Sequence, residues 1–341
     1  MCVWNAYTGS QAAAPILLGC GCRIEGLWSG FYTGIATADD RGIYHGKVCG
    51  CTRFWQEKFS LSHFPGNTGL FHSRTPGGGD ERWGHPFCGS RGEMVLISQG
   101  SPGFFGSKEN LDQLSQTAQK LFSQGINFPS AAPAIEGKAY PVLADGSQIH
   151  ISDLVAQYVE NEYIRTRDPL NSIRKVMCEC REEAQVEVIF KDRPDTIYFG
   201  TTTQRIVAAR GNGGILASIT ALAFDPELRY TELPPNICGF IRKDQIFFET
   251  LSESFKVDEY MPLKMCSTFQ DYLKNNGPAS LAKIWSEAVS PQFPKQGLEC
   301  SEIIIYQALE TLYREGMVKI IPVEKPGVCG SCGREDLITL R

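Results

Sequence analysis

The first hundred residues alternate short apolar stretches with glycine-rich turns, which is the pattern of β-strands joined by tight connections. Residues 34–38 and 43–48 flank the segment DDRG at 39–42 and predict a hairpin. Residues 68–73 and 94–98 predict two more strands, each followed by a run rich in glycine. We therefore expect strands and turns throughout this region.

Three segments further along show the spacing of apolar residues that is typical of an amphipathic helix. These predicted helices are residues 110–123, 152–163 and 169–180. Strand patterns then return at residues 185–191, 196–201, 205–209, 214–218 and 239–249. Strands, then helices, then strands again predict an α+β fold rather than alternating βαβ units.

From about Met265 the pattern changes to three predicted helices followed by two predicted strands. The helices are residues 267–274, 280–289 and 301–315, and the strands are residues 318–323 and 336–340. Three helices and a hairpin are typical of a small winged-helix-like domain. We therefore predict two domains, at residues 1–260 and 265–341.

Charge argues against a broad nucleic-acid-binding surface, because the 341 residues carry a formal net charge of −5. The last predicted helix has Glu302, Glu310 and Glu315 against only Arg314, whereas a DNA-reading helix should be basic. A packing or partner-docking role is therefore favoured. The sequence has no membrane-spanning apolar run and no signal peptide, so a cytoplasmic location is predicted by default.

The sequence contains 13 cysteines, and in a chain of this size without an export signal we expect mostly reduced thiols. Three Cys-x-Cys pairs begin at Cys20, Cys49 and Cys178, and each would place both thiols on one face if its segment is a strand. Cys329 and Cys332 resemble half of a zinc site, but no second pair lies near them in sequence. Small buried side chains, or a thiol pair in a turn, are the alternatives. No metal and no cofactor are predicted.

The thiol at position 2 has a distinctive chemical consequence. Aminopeptidases remove an initiator methionine when the next side chain is small, so Cys2 can become the N-terminal residue. Its α-amino group, with a reference pKa near 8, would then lie within reach of its own sulfur and could serve as the general base. A cysteine at this position without a function is the commoner case, so the prediction needs support from other residues.

That support comes from the segment GNTGLFHSR at 66–74. It resembles the Gly-x-x-Gly-hydrophobic-x-His-Thr-Arg strand of class II glutamine amidotransferases, the N-terminal-nucleophile type, as in the glutaminase domain of glucosamine-6-phosphate synthases. Fainter matches follow the family's order at residues 27–36, 84–86, 94–100 and 215–222. The resemblance covers residues 2–250 or so. It implies a four-layer αββα N-terminal-nucleophile hydrolase sandwich, followed by the winged-helix-like domain.

The resemblance also implies roles for individual residues. Cys2 would be the nucleophile, Arg74 would bind the substrate α-carboxylate, and Gln99 with the backbone N–H of Gly100 would form the oxyanion hole. The remaining predicted substrate-binding residues are His72, Thr75, His85 and Asp153.

The sequence departs from the family within the glutamine pocket. The Thr-His pair that lines the family's glutamine pocket is replaced by Gly77 and Gly78, and the oxyanion asparagine by Gln99. Ile151 stands where the family has the aspartate that holds the substrate ammonium, with Asp153 nearby. The nucleophile is therefore retained while the pocket is altered.

The predicted function is an amidohydrolase that releases ammonia from glutamine through a Cys2 thioester. One alternative keeps this nucleophile but acts on a different amide. Another is a catalytically inactive regulatory or assembly protein. The family's sugar isomerase domains have no counterpart in these 341 residues, so the resemblance implies a separate ammonia-accepting synthase as partner. Neither nucleic acid nor a membrane is an expected partner.

Overall fold

A computed structural model describes residues 2–58, 63–100, 108–135, 139–180, 183–253, 262–292 and 301–341. The strands are β1 (Val3–Gly9), β2 (Tyr32–Asp39), β3 (Gly42–Cys49), β4 (Thr68–Arg74), β5 (Phe87–Cys88), β6 (Met94–Gly100), β7 (Glu183–Phe190), β8 (Thr196–Thr201), β9 (Ile206–Gly211), β10 (Gly214–Ser218), β11 (Tyr230–Leu233), β12 (Ile237–Arg242), β13 (Gln245–Thr250), β14 (Ala279–Ser280), β15 (Val318–Pro326) and β16 (Cys332–Leu340). The helices are α1 (Ala13–Trp28), α2 (Thr52–Lys58), α3 (Lys108–Ser123), α4 (Ile151–Thr166), α5 (Pro169–Glu179), α6 (Pro262–Asn276), α7 (Leu281–Ile284) and α8 (Ser301–Arg314).

Two large antiparallel sheets form the centre of the molecule. The first has seven strands in the order β11-β9-β10-β1-β4-β2-β3, and the second has six in the order β13-β12-β8-β7-β6-β5. The predicted hairpin between β2 and β3 is confirmed, and its turn is closed by Asp39, whose carboxylate accepts from the backbone N–H groups of Arg41 and Gly42. The predicted α+β class with antiparallel sheets is confirmed.

The sheets face each other, and helices cover their outer faces. Side chains that alternate along a strand point to opposite faces, so Ile97 of β6 lies in the apolar cluster between the sheets while its neighbour Leu96 packs with α4. Helix α1 lies on β1 and β4, and helices α4 and α5 lie on the second sheet. The layers therefore run helix, sheet, sheet, helix.

Helix α1 is a correction to the prediction of strands and turns alone. Three glycines lower its intrinsic helix propensity, but one of them is required by packing. A Cβ on Gly21 would lie 2.4 Å from the ring of Phe71 on β4, so glycine allows the helix to approach the sheet. Cys20 and Cys22 consequently lie on a helix, and the strand-based interpretation of that pair was wrong.

The predicted strand at 239–249 is also corrected, because the structure places two strands there. β12 and β13 pair in the antiparallel register Arg242 opposite Gln245, with Lys243 and Asp244 in the turn. These turn residues lack the glycine or asparagine that usually marks a two-residue hairpin connection, which is why an uninterrupted strand was predicted.

The C-terminal elements occur in the order α6, β14, α7, α8, β15, β16, and their three strands form a sheet in the order β14-β16-β15. Their apolar residues, among them Phe269 and Leu281, belong to the same cluster as the first sheet. The ring of Trp28 on α1 lies 5.7 Å from that of Trp285. Part of the predicted domain boundary, at 254–261, lies outside the described residues, and the division into domains stays a prediction.

Within the described ranges, no helix combines the length and the apolar character needed to cross a bilayer.

Candidate active site

Cys2 lies immediately before β1, the strand at the middle of the seven-stranded sheet, and is half-buried. β1 pairs with β4 in the antiparallel register Val3 opposite Ser73. The same register continued by one residue brings Cys2 beside Arg74. The predicted nucleophile and the predicted carboxylate-binding residue are therefore at neighbouring strand ends.

Arg74 is only 4% exposed. One guanidinium nitrogen donates to the carbonyl of Gly78 at 3.0 Å, another donates to the hydroxyl of Tyr140 at 3.2 Å, and the group lies 4.8 Å from the ring centre of Tyr32. Among the described residues, no carboxylate lies within ion-pair distance of it. A buried guanidinium without a counter-ion is costly, so this site is electrostatically suited to an anionic ligand.

Three buried histidines lie next to this arginine. The ring of His72 stacks at 3.8 Å from that of His85, which in turn lies 5.7 Å from His150. Burial, followed by the charge of Arg74, lowers the pKa of His72 to about 3. Burial lowers the pKa of His85 and His150 well below the usual value, helped by neighbouring histidines and basic residues. All three rings are therefore neutral near pH 7.

His150 also explains how helix α4 begins. Its Nδ1 accepts from the backbone N–H of Ser152 at 3.1 Å, which caps the helix and requires an unprotonated nitrogen. The backbone on either side of His85 is held by Lys47, which donates to the carbonyls of Gly84 at 2.7 Å and Pro86 at 3.2 Å. Thr75 follows β4 directly and is half-buried.

Asp153 lies on α4 and is completely buried. Its Oδ2 accepts from the N–H and the hydroxyl of Ser130 at 2.8 and 2.6 Å, and its Oδ1 accepts from the Gln157 amide at 2.9 Å. Burial raises the pKa of this carboxyl, although these hydrogen bonds oppose the effect. Both oxygens are occupied by protein donors, and binding of a substrate ammonium by Asp153 stays a prediction.

Gln99 lies at the end of β6, where the ladder to β7 shifts register before Gly100. Its Nε2 donates to the side-chain oxygens of Gln185 at 2.8 Å and Gln204 at 3.3 Å. To donate to an oxyanion, this amide would have to exchange one of these partners. Its role and that of Gly100 also stay predictions.

Glu187 extends this buried polar group along β7. It is completely buried, and neither carboxylate oxygen makes a well-formed hydrogen bond to a described residue. Burial raises its pKa well above the usual value, although the nearby Gln185 amide opposes the shift. Burial between the sheets therefore favours the neutral form of this carboxyl.

The amino-acid sequence is similar to those of known enzymes. The chain is 24% identical over 259 residues to glutamine–fructose-6-phosphate aminotransferase (isomerizing) from Caldanaerobacter subterraneus subsp. tengcongensis, which covers 73% of this chain and 36% of that protein. The enzyme of the same name from Thermococcus kodakarensis is 21% identical over 234 residues, covering 68% and 34%. The chain thus spans about one third of the length of these relatives. No protein-family model matches it.

Among solved structures, glutamine phosphoribosylpyrophosphate amidotransferase from B. subtilis shares the fold with a TM-score of 0.54 at 15% identity, covering 74% of this chain and 50% of that one. An allosteric regulatory enzyme of purine biosynthesis gives 0.53 at the same identity and coverage. The resemblance to class II glutamine amidotransferases is confirmed. At this identity the structural likeness describes the fold alone.

Several residues of this candidate site were missed by sequence reasoning. Tyr32 lies two residues before Gly34 in β2. Tyr140 lies in an irregular loop, where the sequence has no periodic pattern of apolar residues. Gln185 and Glu187 alternate with valines and an alanine, a pattern that ordinarily marks a strand with one solvent face. Only the second sheet's contact with the first shows that these polar side chains are enclosed.

Proposed function

We propose that the chain, after removal of Met1, is an amidohydrolase of the glutamine amidotransferase type with Cys2 as nucleophile. The observation that carries the proposal is Arg74, a buried guanidinium without a described carboxylate partner beside the strand end that holds Cys2. Such a guanidinium suits the α-carboxylate of an amino acid. An amide bound there by its carboxylate would extend toward a thiol at the neighbouring strand end.

In the proposed reaction the α-amino group of Cys2 takes the thiol proton, and the sulfur attacks the carboxamide carbon. The tetrahedral intermediate collapses when the amide nitrogen accepts that proton and leaves as ammonia, which gives a thioester. Water then attacks the thioester, the amino group again serves as base, and the acid and the thiol are released. The buried histidines are neutral and hold the walls of the site, so no imidazolium is required.

Glutamine is the first-choice substrate, and the sequence of the pocket leaves a different amide as the alternative. The glutamine analogue 6-diazo-5-oxonorleucine discriminates between them, because it alkylates a thiol only where glutamine binds. We expect one adduct per chain, located on an N-terminal Cys2 by peptide mass spectrometry, with protection by excess glutamine. Retention of Met1 would contradict the mechanism. A processed Cys2 without an adduct would contradict glutamine and favour another amide or the inactive alternative.

Replacing Arg74 by lysine should raise KM for glutamine by about 10- to 100-fold, or about 1.4–2.7 kcal/mol, with a smaller change in kcat. Lysine keeps the charge but loses the planar, two-pronged donor, and carboxylate binding contributes equally in the ground and transition states. Steady-state ammonia release measures both constants. The exposed Arg53→Lys serves as the matched control, and an unchanged KM in the Arg74 variant would remove this residue from the substrate site.

The remaining proposals concern the C-terminal elements and the partner. We propose that residues 265–341 form a winged-helix-like unit that packs on residues 1–260, supported by the helix-strand-helix-helix-strand-strand order described above. We also propose that the released ammonia passes to a synthase activity, supported by the similarity to relatives that are named aminotransferases. Cytoplasmic location stays a prediction.

A further inference from the structure

Two cysteine pairs that are far apart in sequence meet in the fold. Cys49 ends β3 and Cys51 follows it after one glycine, while Cys329 lies in the turn between β15 and β16 and Cys332 is the first residue of β16. The sulfur atoms of Cys49 and Cys329 lie 3.0 Å apart. The sequence offered Cys329 and Cys332 as a half-site without a partner, and the tertiary structure places a second pair beside it.

The backbone brings the other two cysteines together as well. The N–H of Cys51 donates to the carbonyl of Cys332 at 2.9 Å. Gly50 sits against the same turn, because a Cβ there would lie 3.2 Å from the Cβ of Ser331. The two segments are therefore in direct contact at Cys49, Gly50 and Cys51.

The backbone turns sharply within both segments. Gly50 has a φ of +123°, and Cys329 and Gly330 have φ values of 53° and 73°, so the chain turns sharply between Cys49 and Cys51 and again between Cys329 and Cys332. A cavity lined by Cys49, Phe54 and Cys329 opens beside the sulfur pair, and Cys329 is exposed. A metal ion can therefore reach the site from solvent.

We propose that Cys49, Cys51, Cys329 and Cys332 bind one zinc ion as a tetrathiolate. Cys-x-Cys and Cys-x-x-Cys pairs are chelating arrangements for tetrahedral zinc, with Zn–S distances near 2.3 Å and therefore sulfur atoms about 3.8 Å apart. Among the described residues no three ligand groups already surround one point, so binding requires the sulfur pair to open by roughly 0.8 Å and the Cys51 and Cys332 side chains to rotate.

A disulfide between Cys49 and Cys329 is the competing outcome. It would leave Cys51 and Cys332 without a role, whereas zinc uses all four thiols. Zinc would displace four thiol protons to solvent and involves no oxidation. Its structural effect would be to fasten the β15–β16 turn to the end of β3, which joins the C-terminal sheet to the first sheet. The site is separate from Cys2 and Arg74, so neither proposal depends on the other.

The test uses the full-length protein purified with a reductant and without added chelator. We expect about one zinc per chain by elemental mass spectrometry. After removal of the metal, anaerobic titration with Co²⁺ should give the intense ligand-field and thiolate charge-transfer bands of a tetrahedral tetrathiolate. Cys332→Ser and Cys51→Ser should each weaken cobalt binding, because each removes a proposed ligand. The loss of affinity should exceed the roughly 10- to 100-fold loss that follows removal of a group that only orients a ligand.

Cys266→Ser is the matched control, because it removes a half-buried thiol on α6, and it should bind cobalt like the unsubstituted protein. Each variant's thermal unfolding shows whether it is folded. Absence of zinc together with failure to bind cobalt would overturn the proposal. So would cobalt binding that is insensitive to both substitutions, or an air-purified protein whose Cys49 and Cys329 are found in one disulfide-linked peptide. None of these results bears on the amidohydrolase, whose test is the Cys2 adduct.

Discussion

Replacing Cys2 by alanine should lower ammonia release from glutamine by about 10⁴-fold or more, because the variant has no nucleophile to form the thioester. The fold should be retained. Cys2 precedes β1, is only half-buried and lies outside the apolar clusters, so we expect the free energy of unfolding to change by less than about 0.5 kcal/mol. A glutamate dehydrogenase-coupled assay and denaturant unfolding measure the two quantities.

Two further variants test the same prediction. Cys2→Ser keeps a hydroxyl but not the intrinsically stronger sulfur nucleophile, so its activity should be far below that of the unsubstituted protein. Cys178→Ala removes a half-buried thiol on α5 and should leave the activity unchanged. Ammonia release by Cys2→Ala at the full rate would show that the nucleophile lies elsewhere and would end the proposed mechanism.

Replacing Glu310 by alanine should lower the free energy of unfolding by about 3–5 kcal/mol. Glu310 on α8 pairs with Arg205 at 2.6 Å, and their side chains are 3% and 2% exposed. The same carboxylate accepts from the hydroxyl of Thr220 at 2.6 Å and from the N–H of Ala221 at 2.7 Å. Truncation leaves a buried guanidinium and two buried donors without this partner, which explains the size of the expected loss.

The chain supplies a matched control in the exposed pair Arg53–Glu324, whose side chains are 73% and 65% exposed. Glu324→Ala should cost less than about 1 kcal/mol, since exposed ion pairs contribute little. The double substitution Arg205→Met with Glu310→Leu should recover much of the stability lost in the single variant, because it removes both buried charges. A Glu310→Ala variant as stable as Glu324→Ala would show that this network does not hold α8 in place.

Glu310 also shows what the charge composition of a helix does not reveal. The acidic composition of α8 predicts that it is not a DNA-reading helix, but composition does not distinguish exposed from buried acidic residues. Glu310 is buried against Arg205 of the loop before β9, and this partner is about a hundred residues away in sequence. A sequence pattern reports spacing within one element, whereas an ion pair between elements depends on how they pack.

Part of the candidate site was predictable because it depends on one strand. The motif around β4 placed His72 and Arg74 correctly on a strand, and the predicted strand at 94–98 corresponds to β6, which continues through Gln99 to Gly100. What could not be predicted is the environment of those side chains. His72 contacts the ring of His85, and the Gln99 amide donates a hydrogen bond to Gln185. Both contacts join residues on separate strands or loops.

The sequence by itself determined the order of most strands and helices, the position of Cys2 at the chain's start and the arginine at the end of β4, because these follow from local periodicity and short motifs. Tertiary structure alone decided that α1 is a helix, since its glycine-rich segment is stabilised by close packing on Phe71. It also decided that Glu187 is buried rather than solvated, and that Cys49 meets Cys329. The physical reason is common to all three: burial and contact between distant segments are set by how the sheets and helices pack, and a single sequence records only what each segment prefers on its own.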